Sequence, residues 1–151
     1  MTPTTVARFR REQGSVLIET AMTLPLLLLV TVAIFELGRA YQAQETLTNA
    51  AREGARLAVK PNVLATDIQT RVKQYLTDGQ LSNVANATVT VNINATITMG
   101  ASNVSASIVT VDLPYQFTVL SPVARLVKPG STLGQPITLS ASAEMRNESQ
   151  F

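Results

Sequence analysis

The chain has 151 residues with no Cys, no His and no Trp, and it is 46% apolar but only 15% charged. The missing Cys and His exclude disulfide frameworks, thiolate and imidazole metal sites, and catalysis by a Cys nucleophile or a Ser-His-Asp triad. The net charge of +2 is concentrated at one end: of the twelve basic residues, Arg8, Arg10 and Arg11 precede Gly14 beside a single acid, Glu12, and the rest of the chain is balanced. A nucleic-acid partner needs a basic stripe on a folded surface, so none is expected.

After this basic leader, residues 1–14, the stretch from Ser15 to Phe35 contains one charge, Glu19, and the next is Glu36. At about 1.5 Å per residue such a run matches a hydrocarbon layer about 30 Å thick. The Leu26–Val30 block and Val32–Phe35 leave no polar face, and the remaining chain is too small to bury such a helix as a core. Residues 15–37 are therefore expected to form a transmembrane helix that stays in the membrane. A signal peptide has an apolar core of about 7–15 residues, shorter than this one, and Gly38-Arg39-Ala40 is a poor cleavage pattern. The leader arginines predict a cytoplasmic N-terminus and an extracytoplasmic remainder.

Two residues in this run do not suit an inert anchor. Pro25 removes a helix hydrogen bond. Glu19 places a carboxylate within the apolar run, where an acid costs about 2.5–3.5 kcal/mol at the centre and less near an end. It either snorkels to the cytoplasmic headgroups or meets a cation within the membrane. Cutting the chain after Gly14 would create such a cation, the α-amine of Ser15, charged below a pKa of about 8.

Nothing between Phe35 and Lys60 stops the helix, which is expected to continue outside the membrane over residues 38–60 and to end at Pro61. Ala40, Ala43, Leu47, Ala50, Gly54 and Leu57 form one narrow stripe, densest at Ala50, Gly54 and Ala58. The stripe is read first as the face that docks the chain's own sheet, and secondly as a seam between subunits. Arg52, Glu53 and Arg56 read as a solvated face.

Residues 61–151 are expected to form a small extracytoplasmic α+β domain. A short helix over Asp67–Thr77 has capping-box spacing at Thr66 and Gln69, an apolar face of Ile68, Val72, Tyr75 and Leu76, and an end at Gly79. From Ala85 to Met99 the period becomes two, with a break anticipated near Asn92–Asn94. Gly100-Ala101-Ser102 reads as a turn, Ser107–Val119 as a second strand with Pro114 at an edge or bulge, and Ile137–Met145 as a third. The intervening segment, with Pro122, Pro129, Gly130, Gly134 and Pro136, reads as a loop. The fold class is thus α+β: a long N-terminal helix packed against a small antiparallel sheet of about three strands, with one short extra helix.

No active site emerges. Asp67, Asp78, Asp112, Glu144 and Glu148 have no paired spacing, although Asp112 and Glu144 could face each other across strands. Lys128 makes no convincing Ser-Lys dyad, and phosphate-loop and dinucleotide fingerprints are absent. No cofactor, metal or enzymatic activity is expected. The Asn-x-Ser/Thr matches at Asn86, Asn94, Asn103 and Asn147 follow from composition.

The segment RREQGSVLIETA, a basic leader, a Gly and a Glu five residues later, resembles the site cut by prepilin peptidases on type IV pilins and pseudopilins. Extended through Gly14, Glu19, Pro25 and its Leu run, Gly38-Arg39 and the ending AAREGAR at residues 50–56, the sequence resembles the TadE-like family of Tad (Flp) pilus systems. That resemblance implies a pilin-like fold and cleavage between Gly14 and Ser15. It also implies that Glu19, as fifth residue of the mature chain, meets the N-terminal amine of a neighbour. Thr20 departs from the pattern, because pilins of this group often carry an aromatic after the Glu, and this favours a minor subunit over the major fibre subunit. The implied location is the bacterial inner membrane or the fibre itself. The implied partners are a prepilin peptidase, the Tad inner-membrane assembly platform, other TadE-like or TadF-like subunits and the major pilin. The alternative is an uncleaved single-pass anchor carrying a periplasmic binding module.

Overall fold

The computed structural model describes residues 4–100, 102–127, 129, 130, 132 and 134–147, with side chains from Gly14 onward except at a few positions. Helix α1 runs without a break from Thr4 to Ala58, through Pro25. Helix α2 spans Ala65–Asp78, a 3-10 turn follows at Val84–Asn86, and strands β1 (Thr88–Met99) and β2 (Ser102–Tyr115) form a hairpin. Helix α3 (Leu120–Val127) and strand β3 (Ile137–Arg146) complete the order. The sheet is an antiparallel meander, β1-β2-β3. It lies with α2 against the outer half of α1, so the α+β arrangement of a long apolar helix, a short helix and three strands is the one observed.

The core sits where these layers meet. Leu47, Ala50, Ala51 and Ala55 from α1, Ile68, Val72 and Leu76 from α2, and Val109, Val111 and Leu113 from β2 are essentially solvent-free. The alanines of α1 let the partner backbones approach, and the alternation along β2 supplies the facing apolar surface. At about 25 cal/mol per Å² of apolar surface, this burial is the main stabilising term of the domain. A second, smaller cluster of Ala40, Ala43 and Tyr115, with Phe117 and Leu139 beside it, closes the end nearer the apolar half of α1.

Several local details differ from expectation, each for a physical reason. Helix α1 stops at Ala58 rather than at Lys60, because Pro61 disfavours helical backbone in the residue before it, and Asn62 turns the chain at φ 61°. The capping box of α2 does not form: Leu64 is the N-cap without a side-chain bond, and Gln69 instead donates its amide to the Val89 carbonyl at 3.0 Å. Gly79 has an ordinary φ of −73°; it is small because a Cβ there would stand 2.6 Å from Cγ2 of Thr46 on α1. Residues 84–86 form the 3-10 turn, so β1 begins at Thr88 and not at Ala85. The anticipated break in β1 is a shift of register between Asn92 and Ala95, with Asn94 at φ 63°.

Strand β2 begins at Ser102 and ends at Tyr115, earlier than Val119. Pro114 lies on the central strand, but the β1 pairing ends at Thr88 opposite Asp112. Beyond that point β2 has only β3 beside it, so Pro114 occupies a locally two-stranded edge of the sheet, where proline is tolerated. The segment read as a loop contains α3. Pro122 falls in the first turn of this helix, where its absent N–H has no helical partner to lose.

At the far end of the sheet a side-chain network ties three elements to α1. The Ser107 hydroxyl is buried and lies 3.2 Å from the Ala58 carbonyl, which the end of α1 leaves without a helical partner, and 2.7 Å from Oδ1 of Asn147. Asn147 donates in turn to Asn94 at 2.7 Å and to Ser105 at 2.9 Å. The β1 bulge, β2 and the end of β3 are thereby fastened to the last turn of α1.

Candidate functional site

In the apolar half of α1 the side chains from Ser15 to Thr31 are all exposed. An 18-residue window there has a mean hydropathy of 2.1 with none of it buried, and among the described residues this is the one helix long and apolar enough to cross a membrane. Its threonines are satisfied locally. Thr20 donates to the Val16 carbonyl at 2.8 Å, Thr23 to that of Glu19 at 2.6 Å and Thr31 to that of Leu27 at 2.8 Å. Pro25 leaves the Ala21 carbonyl without its helical donor. The Glu19 carboxylate is exposed and has no ion pair or hydrogen bond among the described side chains.

Gly14 and Ser15 lie inside the continuous helix, and a Cβ at Gly14 would meet nothing within 4 Å. Among the described residues nothing requires glycine at this position. The leader residues Arg8, Arg10 and Arg11 precede the first described side chain.

The small-residue stripe has a different setting. Ala40, Ala43, Leu47, Ala50, Gly54 and Ala58 are all buried within the chain's own fold, whereas Leu57 is only half-buried. Within the single chain the stripe faces the sheet and α2, as its first reading has it. Close approach explains Gly54: a Cβ there would stand 2.6 Å from Val72 Cγ2 and 3.0 Å from Val109 Cγ1.

One polar cluster escaped the sequence reading. Glu36 is only 3% exposed, and its Oε1 pairs with Arg39 Nη1 at 3.3 Å. Arg39 also donates to Thr118 at 3.1 Å, tying α1 to the segment that precedes α3. Glu36 Oε2 and the Tyr115 hydroxyl are buried without a hydrogen-bond partner. Burial pushes the Tyr115 phenol above its usual value, against the pull of the Arg39 guanidinium and with the support of Glu36. The only signal in the sequence was the i, i+3 spacing of Glu36 and Arg39. Tyr115 also lines a shallow groove of about 220 Å³ with Arg39, Gln42, Thr46, Gln80 and Ser82.

Farther along α1, Glu53 takes both Arg56 nitrogens at 2.9 Å and lies 3.6 Å from Arg71 of α2. Its side chain is only 19% exposed, so the group is less solvated than a free surface charge. The Arg56 hydrogen bonds hold its carboxyl below the usual value. A lowered folded value stabilises the domain above the unfolded carboxyl pKa, about 4.3, and that contribution disappears as pH falls through the folded value. Glu53→Gln is accordingly expected to cost less than about 1 kcal/mol at neutral pH. In thermal melts across acidic pH, the difference from the parent chain should close as the medium is acidified.

The carboxylate pair considered for Asp112 and Glu144 is not formed. Asp112 stands opposite Ser140, and Glu144 opposite Ile108. Lys128 and Glu148 lie outside the described residues. Among the described residues no group of three or more His, Cys, Asp or Glu side chains could hold a metal ion.

The family model of TadE-like proteins matches residues 14–56. Comparison with curated proteins and with solved structures yields no match. The matched segment contains Gly14, Glu19, Pro25 and the first part of the packing stripe, and it ends within the last turn of α1. Over those residues, from the start of the apolar helix to the helix that carries the outer domain, the chain is similar to TadE-like proteins.

Proposed function

We propose that this chain is a minor pilin-like or pseudopilin-like structural subunit of a Tad pilus, anchored once in the bacterial inner membrane with its N-terminus cytoplasmic and its domain outside. A prepilin peptidase cuts between Gly14 and Ser15. The freed amine of Ser15 on one subunit then meets Glu19 of its neighbour, and the outer domain directs contacts with the assembly platform, other TadE-like or TadF-like subunits and the major pilin. The role is one of assembly rather than catalysis. The observation that carries this reading is Glu19: it lies in a run of exposed apolar side chains with no partner among the described ones, while the nearby threonines are satisfied by their own helix. A carboxylate in lipid needs a cation, and the proposed cut makes one four residues away. Gly14 agrees with it, because nothing among the described side chains packs against this glycine.

The test is the intact mass of the protein from cells containing a matching peptidase. Loss of residues 1–14 is expected, and Gly14→Val should leave the chain full-length. A parent chain that keeps its leader under those conditions overturns the reading in favour of an uncleaved anchor with a binding module.

A further inference from the structure

The outer domain shares one end with the membrane-crossing part of α1, and that end has a distinct surface. If the apolar crossing ends near Leu37, Arg39 stands about 3 Å above the edge of the hydrocarbon, at 1.5 Å per residue. Arg39 bonds Thr118, and Tyr115 packs on Ala40 and Ala43. The close of β2, the start of α3 and the start of β3 therefore lie at the height of the headgroup layer, which is about 5–7 Å thick on each side.

The exposed residues at this height are of the right kind. Beyond Gly38 the large exposed apolar side chains among the described residues are Tyr41, Leu64, Ile93, Val119 and Ile137, and three of these five belong to this end. Ile137 pairs with Tyr115 and so shares its α1-facing side of the sheet, yet it is 43% exposed. Val119, 41% exposed, sits one residue before α3, and Pro122 is exposed on its first turn. No acid occurs in the sequence between Asp112 and Glu144, whereas Arg125 is exposed on α3. An apolar rim beside an exposed arginine suits anionic headgroups.

We infer that the domain is seated on the outer leaflet of the bilayer that α1 crosses, with Val119, Ile137 and the N-terminal turn of α3 entering the headgroup layer. The partner of this face is a lipid surface, and the orientation of the sheet relative to the membrane is fixed by it. The inference rests on α1 crossing a bilayer and is independent of leader cleavage.

The absence of Trp from the chain makes a direct test possible. Single-Trp variants Val119→Trp, Ile137→Trp, Phe35→Trp and Leu64→Trp of the full chain are reconstituted into phosphatidylethanolamine–phosphatidylglycerol vesicles with acyl chains brominated near the headgroup. Phe35→Trp reports the crossing, and Leu64→Trp reports an exposed apolar site at the opposite end of the domain. Groups seated about 5–10 Å into the interface should lose emission about twofold at Val119→Trp and Ile137→Trp, as at Phe35→Trp, with Leu64→Trp unquenched. If Phe35→Trp alone is quenched, the domain stands clear of the lipid and the inference fails. Emission that follows the protein-to-lipid ratio but not bromination assigns the face to a second copy and also overturns it. If Phe35→Trp is not quenched, the crossing itself is wrong and the inference falls with it.

Discussion

Gly54→Leu is expected to dislodge α2 from α1 and to cost the outer domain about 3 kcal/mol or more, because overpacking usually costs about 1–3 kcal/mol and here the neighbours cannot yield easily. The first atom of the new side chain alone would stand 2.6 Å from Val72 Cγ2 and 3.0 Å from Val109 Cγ1, with Ile68 at 3.6 Å behind them. Val72 is fully buried and β-branched, so its χ1 is stiff, and relief requires a shift of the helix rather than a turn of a flexible side chain. For a domain of this size about 3 kcal/mol corresponds to a fall in melting temperature of roughly 12–24 °C. Gly54→Ala separates packing from backbone effects: it gains about 1 kcal/mol of helix propensity, set against the same first contact, and should be neutral to destabilising by about 2 kcal/mol. Gly38→Ala, at a site with nothing within 4 Å, should keep or raise the melting temperature. Thermal melts of the full chain in detergent decide the matter, and equal behaviour of Gly38→Ala and Gly54→Leu would show that the close approach does not exist in solution.

This contrast also marks what could be read from the sequence. The spacing of Ala40, Ala43, Leu47, Ala50 and Gly54 fixes which side of α1 is narrow, because a 3.6-residue period is a local property. That α2 and β2 fill this side depends on contacts between residues far apart in the chain. The strands were legible for the same local reason, down to the irregularity near Asn94, where Asn tolerates a positive φ. Gln69 misled because its distant partner, the Val89 carbonyl, outcompeted the local cap. Helix α3 was hidden by Pro122, whose usual meaning as a breaker does not hold in a first turn. Glu36 carried no local sign of burial: its surroundings are completed by Arg39 and by residues near Tyr115 and Thr118, about eighty positions away. Gly14 and Glu19 are the reverse case, since their residue types stand out in the sequence while nothing among the described side chains is placed against them.

Glu19→Ala is expected to leave cleavage and membrane insertion intact while removing association between subunits. Insertion should not suffer, since alanine relieves the cost of holding a carboxylate in the apolar run. Cleavage should persist, because the proposed cut depends on Gly14 and the basic leader, both unchanged. What is lost is the partner of the neighbour's Ser15 amine, which would be left buried and unpaired. Removing one member of a buried ion pair costs about 3–5 kcal/mol, and at about 1.36 kcal/mol per decade association should weaken a hundredfold or more. Glu19→Asp keeps the charge but shortens its reach by one methylene, so it should retain part of the association, whereas Glu19→Gln, with the shape but not the charge, should behave as alanine does. The measurement is co-isolation from membranes of a tagged and an untagged copy of the processed chain. Full association of Glu19→Ala would mean that the carboxylate meets no amine, and that its exposure reflects snorkelling toward the cytoplasmic headgroups instead.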